Sequence, residues 1–181
     1  MNIQTTTIPD LMLIEPTVYE DHRGFFMESY QQEHYKKQYG IHHHFVQDNH
    51  SYSKQMHTLR GLHYQNEPFA QIKLVSVIVG AIYDVAVDMR KDSPTFGKWE
   101  AFVLNEFNKH QLLIPKGFAH GFCTLESHTH VMYKVDEYYN KEHDRGIMWN
   151  DPTLNISWPT SKVVLSEKDK AHPSWEDIQI P

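Results

Sequence analysis

Residues 81–89 read AIYDVAVDM. Ile82, Asp84, Ala86 and Asp88 alternate with Tyr83, Val85, Val87 and Met89. A period of two predicts a β-strand with unlike faces. The preceding IKLVSVIV predicts another apolar strand, joined to the first near Gly80. The cluster KDSPTFGKW reads as a turn. WEAFVLNE, the two halves of FNKHQLLIPKGFAHGFCTLE around its Pro-Gly turn, and HVMYKVDEYY read as further strands. Helical patterns are scarce. MESYQQEHYKKQYG is the best of them, ending at Gly40, and SEKDKAHPSWED suits a short helical turn capped by Ser166. Many short strands between turn signals predict a mainly β sandwich or barrel.

The chain has 181 residues, 40% of them hydrophobic. That suits one domain, residues 1–181, with a real core, since no repeat or linker breaks the sequence. A net charge of -6 without long runs of one sign argues against nucleic-acid or membrane-surface binding. A few convergent basic side chains would still hold an anion. The single cysteine, Cys123, forms no internal disulfide, so a reducing compartment is expected. The opening MNIQTTTIPD lacks the basic and apolar regions of a leader, and no apolar run is long enough to span a bilayer. The expectation is a soluble cytoplasmic protein.

The stretch TLRGLHYQ, residues 58–65, sets Arg60 and His63 three apart. In a regular strand such residues point to opposite faces; Gly61 offers a place to bend. PKGFAHGF matches P-x-G-x-x-H, a motif typical of cupin barrels, in which the turn leads to a histidine pointing into the barrel. A metal-binding cupin also needs H-x-H and a following glutamate. HYQNEPFAQIK supplies only His63, so the metal reading loses a ligand pair. The run His42, His43 and His44 lies in a polar stretch and reads as surface.

The blocks DHRGFFMESY, FVQDNHSYS, TLRGLHYQ, QIKLVSVIVGAIYDVAVDMRKDSPTFGKW, LLIPKGFAHGF, MYKVDEYY, WNDPTLNISWP and LSEKD follow one another over residues 5–172. In order and spacing the chain resembles the dTDP-4-dehydrorhamnose 3,5-epimerase family. The resemblance implies a double-stranded β-helix (jelly-roll, cupin) barrel with a few short helices, no metal and no cofactor. It also implies a homodimer in which the N-terminal segment crosses to the partner. The implied substrate is a dTDP-4-keto-6-deoxy sugar: dTDP-4-dehydro-6-deoxy-D-glucose becomes dTDP-4-dehydro-L-rhamnose by proton abstraction and return at C3 and C5.

Both carbons flank a ketone. Such chemistry needs a base, a donor for the enolate oxygen, and an acid on the opposite ring face. By resemblance His63 is the base and Asp169 its carboxylate partner. Lys73 faces the C4 oxygen, and His120 lines the same cavity. Tyr133 is the acid; a phenol is protonated at neutral pH and can reprotonate an enolate. Arg23 and Arg60 suit phosphate oxygens, as guanidinium forks bond them in pairs, and Lys168 adds charge. Gln47, Asn49 and Glu28 offer hydrogen bonds to the thymidine or sugar, and Tyr139 a ring for the base. Asp144 approaches the nucleotide, with Glu142 as a rival. Arg23 and Glu28 are the residues expected to serve the partner's site.

Three other functions stay open at this level. One is an epimerase acting at a single centre or on another 4-keto nucleotide sugar. The others, from different classes, are a metal-dependent cupin oxygenase and a non-catalytic sugar-binding cupin.

Overall fold

Apolar residues spaced two apart become the inner faces of two opposed antiparallel sheets. The computed structural model describes residues 2–178; Met1 and residues 179–181, at the ends of the expected 1–181 domain, lie outside the described residues. The first sheet contains β1 (Asn2–Thr5), β2 (Met12–Glu15), β5 (Gln47–Ser53), β7 (Lys73–Val79), β10 (Gln111–Ile114) and β12 (Thr129–Val135), in the order β1-β2-β10-β7-β12-β5. The second contains β6 (Leu59–Gln65), β8 (Ala81–Asp88), β9 (Trp99–Asn105), β11 (Phe118–Thr124) and β13 (Asp144–Gly146), in the order β13-β6-β11-β8-β9. A separate ribbon pairs β3 (Val18–Asp21) with β4 (Gly24–Met27). The expected jelly-roll barrel is thus present.

Val75, Val77, Leu112, Ile114 and Val131 from the first sheet pack against Ile82, Ala86, Leu104, Phe118 and Phe122 from the second. Each such side chain contributes about 1.5–3 kcal/mol when fully buried. The alternation in β8 has an outcome that its pattern does not reveal. Ile82 and Ala86 face this inner core, whereas Val85, Val87 and Met89 face a second apolar cluster. That cluster includes Ile147 and Leu154, with Trp158 and Trp175 packed against it. The C-terminal segment therefore covers the outer face of the second sheet, and β8 is buried on both sides.

Two turns fall where the sequence places them, but connect different sheets. β7 and β8 meet at Gly80 but lie in different sheets, as do β10 and β11 around the Pro-Gly turn. Each glycine has positive φ, 81° at Gly80 and 79° at Gly117. Neither turn closes a hairpin; each carries the chain from one sheet to the other. Pairing to unrelated strands, not the turn, decides which sheet a strand joins.

Both helices lie within the segments that the sequence marks, the first starting only at Gln32, because Met27 at the head of that segment pairs as part of β4. α1 (Gln32–Tyr39) ends at Gly40, whose φ of 65° is the left-handed cap conformation. Its Tyr35 is fully buried against Ile72, Leu74 and Leu113, so α1 covers part of the first sheet's outer face. α2 (Glu167–Lys170) is capped by Ser166, which accepts from the Asp169 backbone N–H. His42, His43 and His44 are exposed, as the polar stretch suggests.

Candidate active site

The site is built from two facing strand ladders. On the first sheet, Asn49, Tyr133 and Val75 form one rung, and Gln47, Val135 and Lys73 the next. Val75 and Tyr133 belong to the inner core, so strand alternation turns Lys73, Gln47 and Asn49 inward as well. On the second sheet His63 pairs with His120, and Arg60 with Phe122. Two steps on β11 therefore match three on β6. Gly61 and Leu62 together oppose Gly121, a β-bulge that brings Arg60 and His63 to the same face. Gly61 has φ 125°, and a Cβ there would lie 2.6 Å from the Gly121 Cα. The bend needs glycine for both conformation and space.

These side chains line two adjacent hollows. One, of about 380 Å³, is lined by Gln47, Asn49, His63, Lys73, Tyr133, Tyr139, Asp144 and Lys168, and also by Gln65 and Gln71. The other, of about 230 Å³, is lined by Arg60 and His120 together with Ser51, Phe122, Ser166 and Asp169. His63, Lys73, Tyr133 and Lys168 border both. Eleven of the thirteen residues expected at the site thus line one or both of these adjacent hollows. Glu142, the rival of Asp144, lines neither.

Arg23 and Glu28 do not reach this chain's cavity. Arg23 sits at the tip of the β3–β4 ribbon, bound to Asp21, with its side chain 79% exposed. Glu28 accepts from His34 at 2.7 Å.

His63 Nε2 lies 2.5 Å from Asp169 Oδ1. A carboxylate accepts, so Nε2 carries the proton and Nδ1 is left as the acceptor. Burial lowers the His63 pKa most strongly; the hydrogen bond and charge of Asp169 oppose this, and Lys73 and Lys168 add to it. The free base is thus the form favoured near neutrality. Burial would push Asp169 up, yet hydrogen bonds from His172, His63 and Ser166 hold it well below the usual carboxylate range.

Burial brings Lys73 down to about 8, partly countered by Asp84 and Asp144. Its Nζ lies 3.5 Å from the His63 carbonyl oxygen, so it spans from one sheet to the other. Burial raises the Tyr133 phenol, with Arg60 opposing and Asp144 reinforcing. It therefore remains a proton donor across the neutral range. His63 and Tyr133 come from opposite walls, which suits proton transfer on two faces of one ring.

The remaining polar groups are held in place by their neighbours. Arg60 donates to Ser53 Oγ at 3.2 Å and to the Tyr52 carbonyl at 2.9 Å. Gln47 donates to Asn49 at 2.8 Å. Asp144 accepts from Tyr139 at 3.0 Å and also from Lys168.

Sequence reasoning missed three participants. Asp84 is fully buried and hydrogen-bonds His120 Nε2. Its Oδ2 and the cavity-lining Ser51 Oγ have no hydrogen-bond partner among the described residues. Such atoms are costly to bury unless a ligand or water reaches them. His172 approaches Asp169 from behind. The period of β8 puts Asp84 in phase with Ile82 and was a usable signal; nothing local marks Ser51 or His172. Among the described residues His63, Asp169 and His172 also bring metal-ligand atoms within 4.8 Å of one another. Both imidazoles already find an acceptor in the carboxylate, which accounts for the cluster as a hydrogen-bonded unit.

Comparison with known proteins gives consistent results. The family model for dTDP-4-dehydrorhamnose 3,5-epimerase matches residues 5–177. A Shigella flexneri dTDP-4-dehydrorhamnose 3,5-epimerase is 53% identical over 93% of this chain and 93% of its own length. The Bacillus anthracis enzyme of that name, solved with TDP and PPi bound, is 54% identical, with a TM-score of 0.93 over 96% of this chain and 98% of that one. A Legionella pneumophila dTDP-6-deoxy-D-glucose-3,5-epimerase, solved with dTDP-4-keto-L-rhamnose, is 49% identical, with a TM-score of 0.94 over 98% of this chain and 94% of the other.

Proposed function

The chain belongs to the dTDP-4-dehydrorhamnose 3,5-epimerase family and is an epimerase of dTDP-sugars, and we propose that its cavity inverts C3 and C5 of dTDP-4-dehydro-6-deoxy-D-glucose with His63 as the base. His63 Nδ1 takes the proton from the carbon beside the ketone, and Asp169 stabilises the imidazolium that forms. The electron pair left behind moves toward the C4 oxygen. Lys73 and the buried His120 meet that charge. Tyr133 returns a proton from the opposite wall, which inverts the centre. Arg60 and Lys168 hold the diphosphate, and Gln47, Asn49, Tyr139 and Asp144 hold the thymidine end or the sugar.

The observation that carries this reading is the 2.5 Å contact between His63 and Asp169 in the wall opposite Tyr133. Incubation with the 4-keto substrate in deuterated water, read by NMR, tests it. Deuterium at C3 and C5, with the L-rhamno product, is expected. Uptake at one carbon would make this a single-centre enzyme; tight binding without uptake would make it a binding protein.

The working unit is a homodimer. The β3–β4 ribbon pairs with neither large sheet and presents Tyr19, Phe25 and Phe26, the last 71% exposed. Beside it a hollow of about 460 Å³ on the outer face of the first sheet is lined by Phe25, Ile78, Met132 and Lys134. An apolar ribbon and an apolar sheet face favour covering by a second copy. In that arrangement Arg23 of the partner subunit and Glu28 of the partner subunit complete the nucleotide end. The compartment is the cytoplasm, which the free, buried Cys123 suits. No helix among the described residues is long and apolar enough to cross a membrane.

A further inference from the structure

One oxygen of Asp169 serves two imidazoles. Oδ1 lies 2.5 Å from His63 Nε2 and 3.3 Å from His172 Nε2. Oδ2 accepts from Ser166 Oγ at 2.8 Å. His172 is built into this position. Its side chain is 8% exposed, and its ring meets that of His63 edge-on at 5.3 Å between centroids. Gly146, the cross-strand partner of His63, makes the room: a Cβ there would fall 2.1 Å from the His172 ring. The following Pro173 carbonyl accepts from the Met148 N–H at 2.8 Å, tying the segment to the strand exit of β13.

We infer that His172 is a positioning residue that shares the Asp169 carboxylate with His63 and thereby keeps His63 a free base at neutral pH. This deepens the reading of His63 as the base and rests on it. A carboxylate oxygen with one donor gives all its basicity to that donor. A second N–H on the same oxygen draws part of it away, so the His63 imidazolium gains less stabilisation. The other charged or titratable groups around His63 are Arg60 and Tyr64 on β6, Lys73 on β7, His120 on β11, Tyr133 on β12, Tyr139, Asp144 on β13 and Lys168 on α2. On the far side of His172 stand Asp144 and Arg145 of β13, Lys168 and Asp177. None of these bonds Asp169 Oδ1; among the described residues only the two histidines do.

The test follows the imidazole nitrogens by long-range ¹H–¹⁵N NMR across pH 5–8.5. In the unaltered protein the His172 Nε2 is expected to carry its proton throughout. In His172→Phe the His63 titration is expected to move up by about half a pH unit or more. The acid limb of kcat/KM should move with it, so activity falls about twofold near pH 6, approaches about a threefold loss at lower pH, and changes little above pH 8. His172→Gln, which places an N–H near the same point, is expected to restore the profile. An unprotonated His172 Nε2 in the unaltered protein would overturn the inference whether or not the variants fold. So would a His172→Phe enzyme that loses activity equally at every pH with His63 titrating as before. Failure of the underlying reading is seen separately: His63→Asn would retain proton exchange, while the state of the His172 nitrogen would be unaffected.

Discussion

His63 and His120 are cross-strand partners on β6 and β11, and each sets its Nε2 against a buried carboxylate, Asp169 and Asp84 respectively. The two dyads are not equivalent. Asp169 is fully hydrogen-bonded, whereas Asp84 Oδ2 lacks a partner among the described residues. The first dyad suits proton abstraction. The second suits orientation of His120 and provision of a counter-charge for Lys73, whose pKa Asp84 raises.

Asp84→Asn removes that counter-charge. Turnover is expected to fall on the order of tenfold to a hundredfold, since groups that orient an oxyanion donor act through it. The basic limb of the pH–rate profile should also move to lower pH, because Lys73 then loses its proton more readily. Steady-state kinetics from pH 6 to 9 checks both; an unshifted limb would remove Asp84 from this role.

The unaltered enzyme should show a bell-shaped kcat/KM profile. His63 must be unprotonated, and its pKa is lowered from 6.5, so the acid limb lies below 6.5. Lys73 must be protonated, and it sits at about 8, so activity declines as pH rises through about 8. Rates rising steadily to pH 10 would exclude Lys73 as the charged partner of the oxygen.

Gly61→Ala is expected to cost stability and activity together. Residue 61 holds φ 125°, and the new methyl would fall 2.7 Å from the His120 carbonyl oxygen. Backbone strain at such a position is worth about 1–3 kcal/mol, and relief of the contact would move the bulge that aims Arg60 and His63. Urea unfolding and kinetics on the same variant measure the two losses; full activity would mean that the bulge does not position the base.

Asp88 provides a stability test away from the chemistry. Burial would raise its pKa, but Arg90, Ser93 and Thr95 hold it at about 2. A folded pKa below the unfolded 3.8 means stability that is present above about pH 4 and lost as pH falls through about 2. Asp88→Ala should lower unfolding free energy by about 2–4 kcal/mol at pH 7, and by much less near pH 2. Urea denaturation at the two pH values checks the difference.

Much of this architecture was legible in the sequence. The alternation of β8, the glycine cap of α1 and the Ser166 cap of α2 are local signals, and local physics honours them. Arg60, His63, Lys73, His120, Tyr133 and Asp169 were assigned by resemblance and do converge on one cavity. What the chain did not reveal depends on long-range pairing. Gly80 and Gly117 mark turns, but only the pairing of β7 and β10 with one sheet and β8 and β11 with the other turns them into crossings. Asp84 looked like one more polar residue of an alternating strand until both its faces proved buried. His172 has meaning only because α2 folds back onto β6, 106 residues from His63 to Asp169 along the chain.

The central claim is that His63 removes the proton and Tyr133 returns one from the opposite wall. Following deuterium uptake and product configuration in the same NMR experiment, for His63→Ala and Tyr133→Phe, tests it most directly. We expect His63→Ala to lose exchange almost wholly, and Tyr133→Phe to keep exchanging while inverting far less. Product forming at the unaltered rate in either variant, or exchange and inversion falling by equal factors in Tyr133→Phe, would contradict the account.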